Sequence, residues 1–411
     1  MIIAAPLFRT LPRLAVLAVA ALGLAGCMGG SGGGPRTTAG ASADSTFAAP
    51  TTAIQSEQLG APGAPAGSAT GPKAALILPL SASGNAGSAA RSMKNAGEMA
   101  LAELGGGNLQ LIVKDDGGTP SGAAAAAQQA LAEGAEIILG PLYAQGVVAA
   151  GQVARQSNIP LIAFSTDASA ATTGVYLLSF LPQSDVNRII AHAVKNGRRS
   201  FAAILPEDAY GSVVEGAFQE AVAKNGGRVV ALERYASGTA KAREAAARVA
   251  QNAGTADAIF VPDEAPAIAE ALQKGGMDLK RVALLGTGLW DDPSVLSSSA
   301  LAGGQFAAPD TAGWRAFQQR YQAKYGEAPA RTATLAYDAV SLAAALSRSE
   351  SGQRYTAQAL TNPSGFQGVD GIFRLKSNGL SERGLAVLQV GGGTAQVVAP
   401  APKSFAGAAG F

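Results

Sequence analysis

The stretch AEIILGPLYAQGVVAAGQVARQSNIPLIAFST, residues 135–166, decides the fold. Residues 135–140 form a short apolar run that stops at Gly140-Pro141. Residues 144–158 then carry a helical pattern, and 159–164 is a second apolar run. The same alternation extends in both directions. Upstream lie a strand at 74–80, a helix at 88–104, a strand at 109–116 and a helix at 121–134 whose Gly134 is placed to end it. Downstream of YLLSFLPQ (176–183) come helix 184–196, strand 200–206, helix 210–225, strand 228–235, helix 240–252, strand 256–262, helix 264–274 and strand 281–286. Continuous Val/Ile/Leu runs separated by helices predict parallel sheets covered on both faces. The fold class is α/β, with two doubly wound Rossmann-like lobes. After GGQFAAP (303–309) the pattern predicts helices at about 310–325 and 332–348, antiparallel strands at 368–375 and 384–390, and a low-complexity tail at 393–411.

The amino terminus carries a different message. Arg9 and Arg13 precede an uninterrupted apolar run, Leu14–Leu24, too short to span a bilayer comfortably. It ends in Leu24-Ala25-Gly26-Cys27, which resembles a bacterial lipobox and implies a signal peptide at 1–26 with lipid attached to Cys27, the only cysteine of the 411-residue chain. Residues 27–72 are dominated by Gly, Ala, Ser, Thr and Pro, so they bury too little surface to offset ordering entropy and read as a tether. About 45 such residues have a root-mean-square reach of roughly 35–40 Å. Charged residues are 15% of the chain and the formal net charge is +2, without a basic run, which argues against a nucleic-acid partner. With Cys27 acylated and His192 the sole histidine, neither a zinc set nor a Cys or Ser/His hydrolase constellation is available. No nucleotide motif or other cofactor signature is present, and an enzyme is not expected.

In open parallel sheets ligands sit beyond the carboxyl ends of the strands, at helix amino termini. That rule selects the loops carrying Ser81, Tyr143, Gln145, Ser165 and Thr166 in the first half, and those carrying Tyr210, Asp263, Thr287 and Trp290 in the second. Trp290, in LGTGLWDD (285–292), reads either as an exposed ring for a ligand or partner or as interlobe packing. Asp115-Asp116 reads as turn-forming rather than metal-binding, since neighbours on a strand face opposite ways. Helical spacing places His192 with Asp185, Arg188 and Lys195 on a solvated face. Trp314, Phe317, Tyr321 and Tyr325 make one helical stripe, read as packing against a sheet, with a partner-docking ridge as the alternative.

The element order, with GPLYAQ (140–145) and IPLIAFST (159–166), resembles the type I periplasmic binding proteins, such as the leucine/isoleucine/valine-binding proteins. The resemblance implies a bilobed domain at 73–392, with lobe 1 at about 73–181 and 307–362 and lobe 2 at about 184–305 and 365–392. It implies crossings near 181–183, 306–309 and 362–365. In amino-acid-binding members the loop after Gly-Pro-Leu holds a ligand carboxylate with small hydroxyl residues. Here it supplies Tyr143, Ala144 and Gln145, while Ser165 and Thr166 keep hydroxyls in the next loop. The phrases LLSFLPQSDVNRII, ILPEDAYGSVVEGAFQEAV and GTGLWDDPSVLSSSALAGGQFAAPD, with the long tether, resemble the penicillin-binding-protein activator lipoproteins. That likeness implies a periplasm-facing protein that activates a peptidoglycan synthase, with Trp290 on the partner surface. Met28 after the cysteine points to the outer membrane. The alternative is the substrate-binding lipoprotein of an ABC importer for amino acids or similar small solutes.

Overall fold

Lys73–Leu78 is apolar at every position after its first and buried from Ala74 onward, which requires cover on both faces. A computed structural model describes residues 71–104 and 108–405. The signal peptide, Cys27 and the tether up to residue 70 lie outside the described residues, as does the end of the tail, 406–411. In chain order the first lobe begins with β1 (Lys73–Leu78), α1 (Gly84–Glu103), β2 (Gln110–Asp115), α2 (Pro120–Ala132), β3 (Ala135–Leu139), α3 (Ala144–Gln156), β4 (Leu161–Ala163) and β5 (Val175–Leu177). These five strands are parallel, in the order β2-β1-β3-β4-β5. The two-residue period of β1 sorts its side chains. Ala74, Leu76 and Leu78 face Met93 of α1 and Val340, while Ala75 and Ile77 face the alanines of α2 and Val147 of α3.

The second lobe follows as α4 (Pro182–Lys195), β6 (Ser200–Pro206), α5 (Ala209–Lys224), β7 (Arg228–Tyr235), α6 (Thr239–Asn252), β8 (Ala258–Phe260), α7 (Ala265–Lys274), β9 (Ala283–Gly286), the single-turn α8 (Pro293–Leu296) and β10 (Gln305–Ala308). Phe201, Phe218 and Phe260 are wholly buried on one face of its sheet, with Phe218 and Phe260 stacked at 5.2 Å. Each such ring contributes about 1.5–3 kcal/mol through burial. The chain then returns to the first lobe with α9 (Thr311–Tyr325), α10 (Ala333–Leu346) and the short α11 (Ala357–Leu360). The α10 residues Leu335, Ala336, Ala339 and Val340 complete the cover of β1.

Three expectations are corrected here. The strands β11 (Phe366–Gly368), β12 (Gly371–Leu375) and β13 (Ser381–Arg383) form a separate antiparallel sheet that packs on the first lobe, not the second. Phe373 and Leu375 enter the core of β1, and the Leu177 N–H donates to the Gly379 carbonyl at 2.7 Å. The last crossing therefore falls at Gly384–Leu385 rather than 362–365, since Leu385 packs in the second core. The low-complexity tail also contains structure. β14 (Ala386–Gly391) runs antiparallel to β10, and β15 (Thr394–Ala399) pairs antiparallel with β14, giving the order β15-β14-β10-β9-β8-β6-β7. Further along the tail, Phe405 is buried with the Arg374 guanidinium 4.5 Å over its ring. Finally, the aromatic stripe of α9 packs on helices rather than a sheet. Phe317 and Tyr321 are buried against Ala96 and Met99 of α1 and Ala333 of α10, and Tyr325 donates to the Asn95 carbonyl at 2.7 Å.

These contacts predict that deleting residues 393–411 bares the ladder groups of β14 and uncovers Arg374. Size-exclusion chromatography should then show association of the truncated chain. A monodisperse truncated chain with unchanged urea midpoint would contradict this role for β15.

Candidate functional site

The carboxyl ends of β1–β4 bring four loops together on the first lobe. Asp115 Oδ1 accepts the Ser81 N–H at 3.2 Å and the Gly117 N–H at 2.9 Å, tying the loop after β1 to the loop after β2. Although burial opposes ionisation of Asp115, these donors hold its carboxyl below the usual range. Asp116 is buried and accepts the Gly118 N–H at 2.8 Å. The acidic pair thus shapes turns, and no group of three His, Cys, Asp or Glu able to hold a metal occurs among the described residues. Tyr143 is 41% exposed and lies against the same loop, where a methyl added at Gly118 would be 3.5 Å from its Cε2.

Gly140 fixes the approach of the next loop. Its φ is +104° and a β-carbon there would sit 2.1 Å from the Ile77 carbonyl oxygen, so no larger residue fits. Ser83 and Tyr143 precede α1 and α3 without capping them through their side chains, which leaves first-turn N–H groups directed at the cleft end of the sheet. Gln145 is exposed in the first turn of α3, and Ser81 and Thr166 are exposed beside it in neighbouring loops. Ser165 is not free in the same way: it is 4% exposed and its Oγ accepts the Asp167 N–H at 3.1 Å.

On the second lobe, Tyr210 and Thr287 meet, their hydroxyl oxygens 2.9 Å apart. Thr287 is buried and its hydroxyl points to the Pro262 carbonyl at 3.4 Å. Burial, aided by Asp185, Asp263 and Asp208, pushes the Tyr210 hydroxyl well above its ordinary pKa, so it remains a neutral phenol. Asp263 is exposed at the end of β8. Tyr235, at the end of β7, is 3% exposed, and its hydroxyl has no hydrogen-bond partner among the described residues. This lobe therefore offers phenol and carboxylate oxygens, whereas the first offers N–H and hydroxyl donors.

Two placements depart from the sequence reading. Trp290 is 1% exposed, with its indole N–H donating to the Val261 carbonyl at 2.9 Å and its ring tilted against Phe306. Gly286 provides the space: a β-carbon there would lie 2.2 Å from the indole. The ring fills the second-lobe core and is neither an exposed anchor nor interlobe packing. His192 is half-buried in a cavity rather than solvated.

Asp185 is the residue that helical periodicity assigned to the wrong role. It sits in the first turn of α4, directly after the first crossing, and its Oδ2 accepts the Gly288 N–H at 3.0 Å. Burial pushes its pKa up to about 7, with the Gly288 N–H and Arg383 acting in the opposite direction. An acid one turn after a lobe crossing is the signal that marks it. Nearby, Arg383 is 6% exposed, with Nη1 3.9 Å from Asp338 Oδ2 and Nε 3.4 Å from the Ser179 carbonyl. Arg331 binds Asp370 through two hydrogen bonds, 2.7 and 3.0 Å. This set of charges joins residues on both sides of the first and last crossings.

A family model described as periplasmic binding protein matches residues 72–395. Among solved structures, the chain is similar to a protein described as a branched-chain amino acid ABC transporter from Rhodospirillum rubrum, with 20% identity, a TM-score of 0.70, and coverage of 80% of this chain and 100% of that one. It is also similar to an ABC transporter substrate-binding protein from Desulfitobacterium hafniense in complex with Leu, with 18% identity, a TM-score of 0.58 and coverage of 80% and 99%. A solute-binding protein of R. palustris in complex with benzoate shares 20% identity at a TM-score of 0.54, with coverage of 80% and 97%. No curated protein matches significantly.

Proposed function

Because the chain belongs to the periplasmic binding protein family, we propose that it is a binding protein for a small polar solute, of the kind that serves ABC importers. The observation that carries this reading is the opposite chemistry of the two lobes. On the first, uncapped amino termini of α1 and α3 and the hydroxyls of Ser81 and Thr166 suit the anionic end of a solute. On the second, Tyr210, Asp263 and the Asp185 region suit a cationic or hydrogen-bond-donating end. An amino acid or a similar small zwitterion matches both, and the neighbours bound to Leu and to benzoate support the size class. The role is binding, not catalysis. Family membership supports a periplasmic location, and Cys27 with its tether would hold the domain to a membrane, with Met28 favouring the outer one.

The test is a thermal-shift screen of the full chain against amino acids and small aromatic acids. A cognate solute at about 100 times its Kd adds about 2.7 kcal/mol and raises Tm by several degrees. Y210F should weaken that solute's binding by roughly tenfold, the loss expected for one hydrogen bond to a charged group. A second reading, regulation of a peptidoglycan synthase, draws on one feature: Tyr143, Ala144 and Gln145 supply no serine or threonine hydroxyl where an amino-acid carboxylate would be held. A flat thermal response to every solute, with retention of a peptidoglycan synthase from membrane extract, would overturn the first reading in favour of the second.

A further inference from the structure

The second lobe contains a cavity of about 590 Å³ away from the cleft. It opens at the beginnings of β9 and β10, marked by Ala283 and Gln305, whereas the cleft loops follow the strand ends. Its polar lining is His192, Asn196, Arg198, Lys280, Gln305 and Gln389, and no carboxylate lines it.

The cations at this cavity are not held in direct ion pairs. Among the described residues neither Arg198 nor Lys280 has a carboxylate ion-pair partner, and Arg198 spends one donor on the Arg281 carbonyl at 2.8 Å. Two acids outside the cavity lining accept main-chain donors, and one of them, Asp257, also feels the charge of Arg198. Asp278 accepts the Lys280 N–H at 3.0 Å, and Asp257 accepts the Arg199 and Ser200 N–H groups, each at 2.9 Å. Arg188 and Lys195 add positive potential at His192 from its own helix. Side-chain amides are also present: Asn196 Nδ2 donates to the His192 carbonyl at 2.8 Å and stands 3.2 Å from His192 Nε2, and Gln389 Nε2 is 3.4 Å from the Gly303 carbonyl. Two unpaired cations, a histidine and side-chain amides around a preformed hollow are the donor set that a multiply charged oxyanion requires.

We infer that this cavity is a second ligand site, separate from the cleft, taking a small anion with a phosphate or carboxylate head. That head can come from a free metabolite or from a lipid headgroup.

His192 is the only histidine of the chain and lies in the cavity wall, so its imidazole resonance reports this site alone. The experiment is an NMR titration of the full chain, labelled at histidine, with inorganic phosphate, citrate or monomeric dihexanoyl phosphatidylglycerol at constant ionic strength. The expected result is a saturable shift of the His192 signal with a Kd in the millimolar range or tighter. In the R198Q/K280Q variant it weakens by at least about tenfold. Saturation by phosphate or citrate identifies a free anion, and saturation only by the phospholipid identifies a headgroup; both support the site. Shifts no larger than those from chloride, or equal shifts in the variant, overturn it. Arg198 and Lys280 lie at the surface rather than in the core, so the variant is expected to fold.

Discussion

At pH 8, where Asp338 is ionised, replacing Arg383 with leucine is expected to cost about 3–5 kcal/mol of stability, read as a lowered urea midpoint. The loss comes from what the guanidinium leaves behind. Asp338 is 2% exposed and Asp370 1%, and both face Arg383 in a region without water access. Asp370 keeps Arg331, but Asp338 keeps only the Val369 N–H, at 2.8 Å, on one oxygen. The rings of Phe180 and Phe373 lie 5.0 and 5.6 Å from the guanidinium carbon; Phe373 would lose its cation, while Phe180 would keep Arg331 at 4.4 Å. The same cluster predicts a pH dependence. Burial raises the Asp338 pKa from 3.8 to about 7, despite the opposing effect of Arg383. An acid whose native pKa is raised binds its proton more tightly in the folded state. Its stabilising contribution is complete below pH 4 and is lost as pH rises towards 7, by up to about 4 kcal/mol for three pKa units. D338N should therefore reduce the fall in stability between those pH values, leaving the share that comes from Asp185. An R383L variant within 1 kcal/mol of the parent would show that the cluster is not coupled in this way.

Trp290→Ala is expected to cost about 3–5 kcal/mol, the range for truncating a buried large aromatic ring. The change empties the hollow that Gly286 leaves beneath β9 and strands the Val261 carbonyl without its indole donor. Solute affinity, measured well below the melting temperature, should change little, because the ring is enclosed by Phe306, Leu301 and Ile268. The opposite pattern, weak binding with stability intact, would return Trp290 to the cleft.

The strands that build both parallel sheets are legible in the sequence because they are covered on both faces, so their apolar runs are unbroken. Trp290 is not, since an indole on a loop between strands looks the same whether it points out or folds back. Its inward turn depends on the missing side chain at Gly286, a detail of local geometry that no periodicity records. The strand TAQVVA at 394–399 is masked by its Gly, Ala and Pro surroundings and is stabilised mainly by pairing with β14. β11–β13 alternate like any antiparallel set, and nothing local tells which lobe they join. At the site, the rule of strand ends reaches the loops of Ser81, Tyr143 and Thr166 and the Tyr210–Thr287 pair. It does not reach Asp185, whose environment comes from Gly288, more than 20 residues away.

The placement of α10 has a consequence for how the molecule is made. The first sheet is complete once Leu177 has emerged, yet the helix that covers its Leu76 face begins at Ala333, and Phe373 arrives later still. For more than a third of its synthesis or export, the chain holds a finished sheet with one apolar side covered only in part, by Met93 and its neighbours on α1. Folding of this lobe therefore cannot be completed in the order of the chain: closing its core waits for the last quarter of the polypeptide, and until then the part of that face beyond α1 is open to self-association.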